Sequence, residues 1–114
     1  PGFKPWRMSK WVKYDGRVET QGLCGDPDAS VTIQTEQALA KLQAILDETG
    51  LTRSNLISMQ VYVSDIEKHF EPMNAVYDQW LEGYDLPTRA CVEARLGGGC
   101  AVEFRATAWC EKES

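Results

Sequence analysis

The chain has 114 residues, of which 43% are hydrophobic and 25% are charged. A chain of this length forms one domain with a core of its own. Its formal net charge of −5 argues against binding nucleic acid, because a phosphate backbone usually requires a basic surface. No apolar run approaches the roughly 20 residues of a membrane span, and the first ten residues do not resemble a secretion signal. We therefore expect a cytoplasmic protein without a membrane partner.

The first elements predicted are two short strands over residues 10–14 and 17–21. They are joined by Asp15-Gly16, the dipeptide that a two-residue type I′ turn favours. A loop follows, and then a helix over 32–49 that ends at Gly50. The apolar positions of this helix recur at helical spacing and predict its buried stripe: Ala38, Leu39, Leu42, Ile45 and Leu46.

The middle of the chain predicts a strand followed by a second helix. Residues 56–63 alternate, and this pattern places Ile57, Met59, Val61 and Val63 on one face. Ser64 and Asp65 offer N-cap oxygens, and Glu67 can complete a capping box with Ser64. Pro72 is expected in the first turn of the helix. The helix is expected to pack through Phe70, Met73, Val76, Tyr77 and Trp80.

The stretch 86–104 predicts two strands separated by Gly97-Gly98-Gly99, which we interpret as a hairpin end. In the first strand, one face carries small and apolar residues and is the expected core face: Thr88, Ala90, Val92, Ala94 and Leu96. In the second strand the core face is Val102, Phe104, Ala106 and Ala108. The opposite faces mix charged residues with a cysteine and a tryptophan, a composition that suits coverage by another subunit around a polar site.

The predicted order is therefore ββ-α-β-α-ββ, an α+β fold with two helices on one face of a mixed sheet. Residues 1–9 form an N-terminal segment, and residues 10–112 form the single domain. The cysteines at positions 24, 91, 100 and 110 have no spacing typical of metal ligands. We expect them to be buried thiols in a reducing compartment.

Two residues on the mixed faces are candidates for chemistry. The guanidinium of Arg89 can grip a carboxylate with two hydrogen bonds, although an ion pair with Glu93 or Glu103 across subunits explains it equally. Glu103, partly removed from water, can exchange a proton with a bound water, or it can be a salt-bridged strand residue. The single histidine, His69, is expected to be a solvated surface residue, so the sequence offers no histidine-dependent triad.

Several motifs resemble the RidA/YjgF family of reactive-intermediate deaminases. The segments PTRACVEARL and AVEFRATA resemble its C-terminal signature, and FEPMNAVYDQWL resembles its second helix. VYVSD and QALAKLQAILDETGL resemble its central strand and first helix, so the likeness spans about residues 10–110. Arg7 and Ser9, together with the short N-terminal half, look closer to the YoaB-like branch of the family.

The resemblance implies a chorismate mutase-like α+β fold, assembled as a homotrimer with its sites between subunits. It implies a hydrolase of 2-imino or enamino acids that needs no cofactor or metal and takes a small carboxylate-bearing substrate. Carried over to this chain, Arg89 holds the substrate carboxylate and Glu103 positions the hydrolytic water. The backbone of Cys91 lines the carboxylate pocket, Asn74 lies near the cleft, and the backbone of Gly22 approaches the ligand.

Two departures from the family pattern keep other functions open. The Ser-Gly-Gln motif of the family is Gln21-Gly22-Leu23 here, and its N-terminal tyrosine falls near Met8. Tyr14 lies directly before the Asp15-Gly16 turn, too close to it to replace that tyrosine. A trimer that binds or senses 2-keto acids without catalysis is therefore the alternative. RNA cleavage, an activity attached to relatives, is disfavoured by the acidic charge and by the lack of a histidine pair.

Overall fold

In a computed structural model, residues 7–110 are described, and they form one mixed sheet of five strands with two helices. The strands are β1 (Trp11–Tyr14), β2 (Arg17–Thr20), β3 (Leu56–Val63), β4 (Thr88–Glu93) and β5 (Val102–Trp109). The helices are α1 (Val31–Thr49) and α2 (Ile66–Trp80). The predicted order and fold class are confirmed. The predicted domain end at residue 112 lies outside the described residues.

The sheet has the strand order β1-β2-β5-β3-β4, so β3 lies between the last two strands of the chain. β3 pairs parallel with β4 and antiparallel with β5. The predicted hairpin at Gly97-Gly98-Gly99 is therefore wrong. This glycine segment forms a 3₁₀ turn within a connection that carries the chain from the edge of the sheet across β3. Sequence alternation identifies strands but does not tell which strands are neighbours.

The first hairpin has the predicted turn. Asp15 and Gly16 have φ angles of 53° and 83°, the left-handed geometry that a type I′ turn requires. The two strands pair antiparallel, with Tyr14 opposite Arg17.

Helix α1 is capped at both ends by residues suited to those positions. The Ser30 hydroxyl accepts a hydrogen bond from the backbone N–H of Ile33, and Gly50 ends the helix with a φ of 74°. The predicted apolar stripe of α1 is confirmed, since all of its members are buried: Ala38, Leu39, Leu42, Ile45 and Leu46.

The start of helix α2 agrees with the prediction in part. Of the two predicted N-cap residues Asp65 is the cap, and its side chain accepts from the backbone N–H of Lys68, whereas Ser64 with Glu67 does not take this place. Pro72 lies inside the helix, beyond the first turn where it was expected. A proline there removes one helical hydrogen bond, and the burial of Met73 and Tyr77 against the core stabilises the helix despite this loss.

Strand β3 contains an irregularity that the alternation does not predict. Its pairing with β5 shifts between Leu56 and Ser58, so Leu56 is buried and Ile57 is 45% exposed. Ile57 was therefore placed on the wrong face. Met59, Val61 and Val63 are buried as predicted, because they follow the shift.

The two faces of the sheet are very different. The helix-covered face is the core. The predicted core residues of β5 are confirmed: Val102, Phe104, Ala106 and Ala108. In β4 the predicted faces are reversed: Thr88, Ala90 and Val92 are exposed on the open face, whereas Cys91 packs against the core. β4 is an edge strand, so its face toward α2 is only partly covered and carries an exposed arginine beside a half-buried cysteine. In the part of the chain that is described, no helix is long and apolar enough to cross a membrane.

Candidate functional site

Arg89 lies on the edge strand β4, on the helix-covered side of the sheet. Its Nη1 donates a hydrogen bond of 2.7 Å to Oδ1 of Asn74, which helix α2 presents one turn before Tyr77. The guanidinium lies over the ring of Tyr77, with 4.8 Å from Cζ to the ring centroid, and 5.9 Å from that of Phe70. Two predicted site residues, Arg89 and Asn74, are thus in direct contact.

The guanidinium of Arg89 has no carboxylate partner within residues 7–110. Within the described residues, neither Glu93 nor Glu103 of the same chain pairs with Arg89, and the ion pair across subunits that we considered stays a prediction. Glu93 instead accepts a hydrogen bond of 2.9 Å from the backbone N–H of Ile66 at the start of α2. Glu103 lies on the other face of the sheet. Arg89 is therefore an exposed cation, held in place by an amide and aromatic rings, and ready to bind an anion.

Cys91 lies two residues along the same strand and is half-buried beside the core. Burial raises the pKa of its thiol, against a smaller opposing effect of the Arg89 charge. The thiol is therefore protonated at neutral pH and is a poor nucleophile. Burial likewise raises the pKa of the Tyr77 hydroxyl beneath Arg89.

Glu103 forms a second cluster with the segment that follows β2. Leu23 and Phe104 exchange two backbone hydrogen bonds of 2.7 and 2.9 Å, which fixes this segment along β5. The arrangement places Cys24 beside Glu103, and the Cys24 thiol donates a hydrogen bond of 3.4 Å to Oε1 of the carboxylate. Cys24 was not predicted as a site residue. Its contact with Glu103 depends on the isolated β-bridge between Leu23 and Phe104, and a single paired residue leaves no pattern in the sequence.

Position 22 requires glycine, because the Glu103 carboxylate occupies the space that a side chain at this position would fill. A Cβ added to Gly22 would overlap Oε2 and lie 2.8 Å from Cδ of Glu103. The constraint is one of space, since the φ angle of Gly22 is not in the left-handed range. The predicted site residues Gly22 and Glu103 are therefore in contact.

The two clusters lie on opposite faces of the sheet. Arg89 is in register with Met59 on the core face, whereas Glu103 is in register with Tyr62 on the open face. Their partners on β3 are three residues apart, and β4 and β5 lie two strand spacings from each other. The Cα atoms of Arg89 and Glu103 are therefore about 14 Å apart. One protomer therefore does not bring all the predicted site residues together.

The site offers no evident metal centre. Within residues 7–110 no group of three or more His, Cys, Asp or Glu side chains could hold a metal ion. His69 is partly exposed in the first turn of α2, and its backbone N–H donates to the carbonyl of Asp65.

The comparison with known families decides the identity of the fold. The sequence model of the endoribonuclease L-PSP family matches residues 7–110. The chain belongs to this family, also known as the RidA/YjgF or RutC family.

Relatives agree with this assignment over most of the chain. A 2-iminobutanoate/2-iminopropanoate deaminase of Escherichia coli is 30% identical over 104 residues, which cover 89% of this chain and 80% of that protein. A YjgF-family protein of Neisseria meningitidis has a solved structure that is 30% identical, covers 98% of this chain and 93% of its own, and superposes with a TM-score of 0.88. E. coli TdcF, solved with bound serine, is 28% identical, covers 96% of this chain and 91% of its own, and has a TM-score of 0.87.

The predicted branch within the family has weaker support. YoaB of E. coli is 28% identical over 90 residues, which cover 79% of this chain and 78% of that protein. Other RutC family proteins match equally well, including one from Haemophilus influenzae at 30% identity over 89% of this chain and 80% of its own length. The YoaB-like placement therefore stays a prediction.

Proposed function

We propose that this protein is a cofactor-independent deaminase that hydrolyses 2-imino or enamino acids to 2-keto acids and ammonia. The observation that carries the proposal is Arg89, whose exposed guanidinium is held by Asn74 and Tyr77 and has no acidic partner within residues 7–110. Such a group binds a planar carboxylate through two parallel hydrogen bonds. The family relationship and the deaminase relative at 30% identity support this substrate class.

The reaction needs only positioning and one base. Arg89 binds the carboxylate of the imine and thereby fixes the imine carbon. Glu103 accepts a proton from a water molecule, whose oxygen adds to that carbon to give a carbinolamine. Glu103 returns that proton to the imine nitrogen, which completes the neutral carbinolamine. It then carries the hydroxyl proton to the amino nitrogen as the C–N bond breaks, so that ammonia leaves and the keto carbonyl forms. Because an imine is already electrophilic, orientation and general-base catalysis are sufficient to accelerate its hydrolysis.

The opposite placement of the two clusters supports a site built from two subunits. Arg89 and Glu103 cannot meet on one substrate within a protomer, because the sheet separates them. The open face also exposes large apolar side chains that association would cover: Val12, Tyr14, Val92 and Trp109. We infer that a homotrimer places the Arg89 edge of one subunit beside the Glu103 face of the next. A cyclic assembly repeats this contact and closes.

The test is keto-acid and ammonia release from freshly generated 2-iminopropionate or 2-iminobutyrate. Wild type is expected to accelerate hydrolysis, and Arg89→Ala is expected to lose on the order of 100-fold in kcat/KM, because a charge-assisted bidentate contact contributes up to about 3 kcal/mol. Lys68→Ala is the matched control, since it removes an exposed cation from α2 without touching either cluster. Equal activity in wild type and Arg89→Ala, with the oligomer intact, would contradict the mechanism.

A binding trimer without catalysis is the second candidate, and the buried Leu23 favours it. This residue stands where the family motif has glutamine, and it is only 3% exposed in the core. The substitution removes a polar side chain from the segment beside Glu103. Titration with small 2-keto acids distinguishes the candidates, because a binding protein gives Arg89-dependent binding and no ammonia. RNA cleavage, the activity in the family's name, is disfavoured by the net charge of −5 and the single histidine.

A further inference from the structure

The carboxylate of Glu103 has two different oxygen environments. Oε1 accepts the hydrogen bond of 3.4 Å from the Cys24 thiol. Oε2 lies over Gly22, in the space that a side chain would fill there. One oxygen is thus engaged by a donor, and the other lies beside a residue that offers no side chain to compete with a water or a substrate.

The Cys24 thiol is held in its protonated form. Burial raises the pKa of this thiol, and the adjacent Cys100 thiol and the Glu103 carboxylate raise it further. Cys100 is itself buried, with its sulfur 3.8 Å from the carbonyl oxygen of Gly25. A thiol in these surroundings is a permanent S–H donor at neutral pH and does not supply a nucleophilic thiolate.

Other groups on the open face leave this contact undisturbed. Tyr62 is directly opposite Glu103 on β3, and its hydroxyl donates to Oε1 of Gln60 at 3.1 Å. Arg105, two residues along β5, forms its ion pair with Glu19 at 3.6 Å. Within residues 7–110, no basic side chain forms an ion pair with Glu103. Cys24 is therefore the side chain that orients this carboxylate.

We propose that Cys24 is a positioning residue that holds Oε1 of Glu103 and leaves Oε2 to accept the proton from water. This inference depends on the proposed function, in which Glu103 is the general base. The thiol does not touch the reacting atoms. It fixes the rotation of the carboxylate through the hydrogen bond.

The test compares Cys24→Val, Cys24→Ala and Cys24→Ser in the full chain with a freshly generated 2-imino acid. Valine and alanine remove the donor, so kcat is expected to fall about fivefold, the effect of losing one net hydrogen bond. In the proposed function Arg89 holds the substrate, so KM is expected to change little and the loss appears in kcat. Serine retains a donor and is expected to restore the wild-type kcat.

Cys110→Ala is the matched control, because Cys110 follows β5 about 23 Å along the strand from Glu103. Its kcat and KM are expected to equal those of wild type. A wild-type kcat in both Cys24→Val and Cys24→Ala would overturn the inference while leaving the deaminase proposal intact. Absence of hydrolysis by wild type would instead overturn the proposed function.

The carboxyl ¹³C resonance of Glu103, recorded at neutral pH, tests the contact without activity. Its chemical shift is expected to differ between Cys24→Val and wild type, and to return toward the wild-type value in Cys24→Ser. An unchanged chemical shift in a folded Cys24→Val protein would contradict the proposed contact, whatever the enzyme assay gives.

Discussion

Arg89 and Glu103 lie on opposite faces of one sheet, Arg89 on the edge strand beside α2 and Glu103 on the open face beside Gly22. Each has its own support: an amide and two aromatic rings hold the arginine, and a thiol holds the carboxylate. The geometry divides the proposed chemistry into a carboxylate-binding half and a water-activating half. Each half can be perturbed separately, which makes the proposal testable.

Asn74 is expected to affect substrate binding more than turnover. Asn74→Ala removes the hydrogen bond of 2.7 Å that orients the Arg89 guanidinium, so KM should rise about fivefold to tenfold while kcat changes little. Steady-state kinetics on a 2-imino acid measure both constants. Gln79→Ala, an exposed amide on the same helix, is the control and should leave KM unchanged. A normal KM in Asn74→Ala would show that Arg89 does not need this support.

Gly22→Ala is expected to impair the chemical step. The added Cβ would overlap the Glu103 carboxylate and displace it, so kcat should fall at least about tenfold. Binding of a 2-keto acid, measured by calorimetry, should persist because it depends on Arg89. Gly97→Ala is the matched control, since its Cβ would have no neighbour within 4 Å. Full activity in Gly22→Ala would mean that the position of Glu103 is not critical.

Gln34 is expected to be important for stability. This buried side chain donates to the carbonyl of Ala29 and accepts from the backbone N–H of Ala101, each at 2.8 Å. Gln34→Ala leaves a backbone donor and a backbone acceptor without this partner, so the free energy of unfolding should fall by about 2–3 kcal/mol. Urea denaturation measures this loss. Glu36→Ala, at an exposed position on α1, should cost much less.

The stability of the protein is expected to depend on Glu19 in acid. Burial alone would raise the pKa of this carboxyl, but hydrogen bonds from Thr107 and Arg17 and the charges of Arg17 and Arg105 lower it below the reference value of 4.5. A carboxyl with a lowered folded-state pKa stabilises the fold above its unfolded pKa, and this stabilisation is lost as the pH falls through the folded value. Unfolding at several pH values should therefore show a smaller acid loss in Glu19→Gln than in wild type. Parallel curves would exclude Glu19 as a source of acid sensitivity.

Local signals in the sequence predicted the elements well. The turn at Asp15-Gly16, the stripe of α1 and the stop at Gly50 depend on neighbouring residues alone, and all three are confirmed. The prediction for Pro72 was wrong because tertiary packing around α2 outweighs a local preference.

Pairing between distant strands was beyond the sequence pattern. The alternation of residues assigned two faces to β4. It could not show that β3 lies between β4 and β5, or that the charged face of β4 contacts α2. The contact between Cys24 and Glu103 was missed for the same reason. The resemblance to a family did select Arg89, Asn74, Gly22 and Glu103, and the structure groups these into two contacting pairs. Their roles stay predictions.

The most direct test of the shared site is complementation between two inactive variants. Arg89→Ala and Glu103→Gln are mixed, dissociated and reassembled, with native mass spectrometry to verify hybrids. If one subunit supplies Arg89 and the next supplies Glu103, every mixed trimer contains one intact site of its three. About three quarters of the trimers from an equal mixture are mixed, so about a quarter of wild-type activity should be recovered. No recovery in verified hybrid trimers would contradict a site shared between subunits.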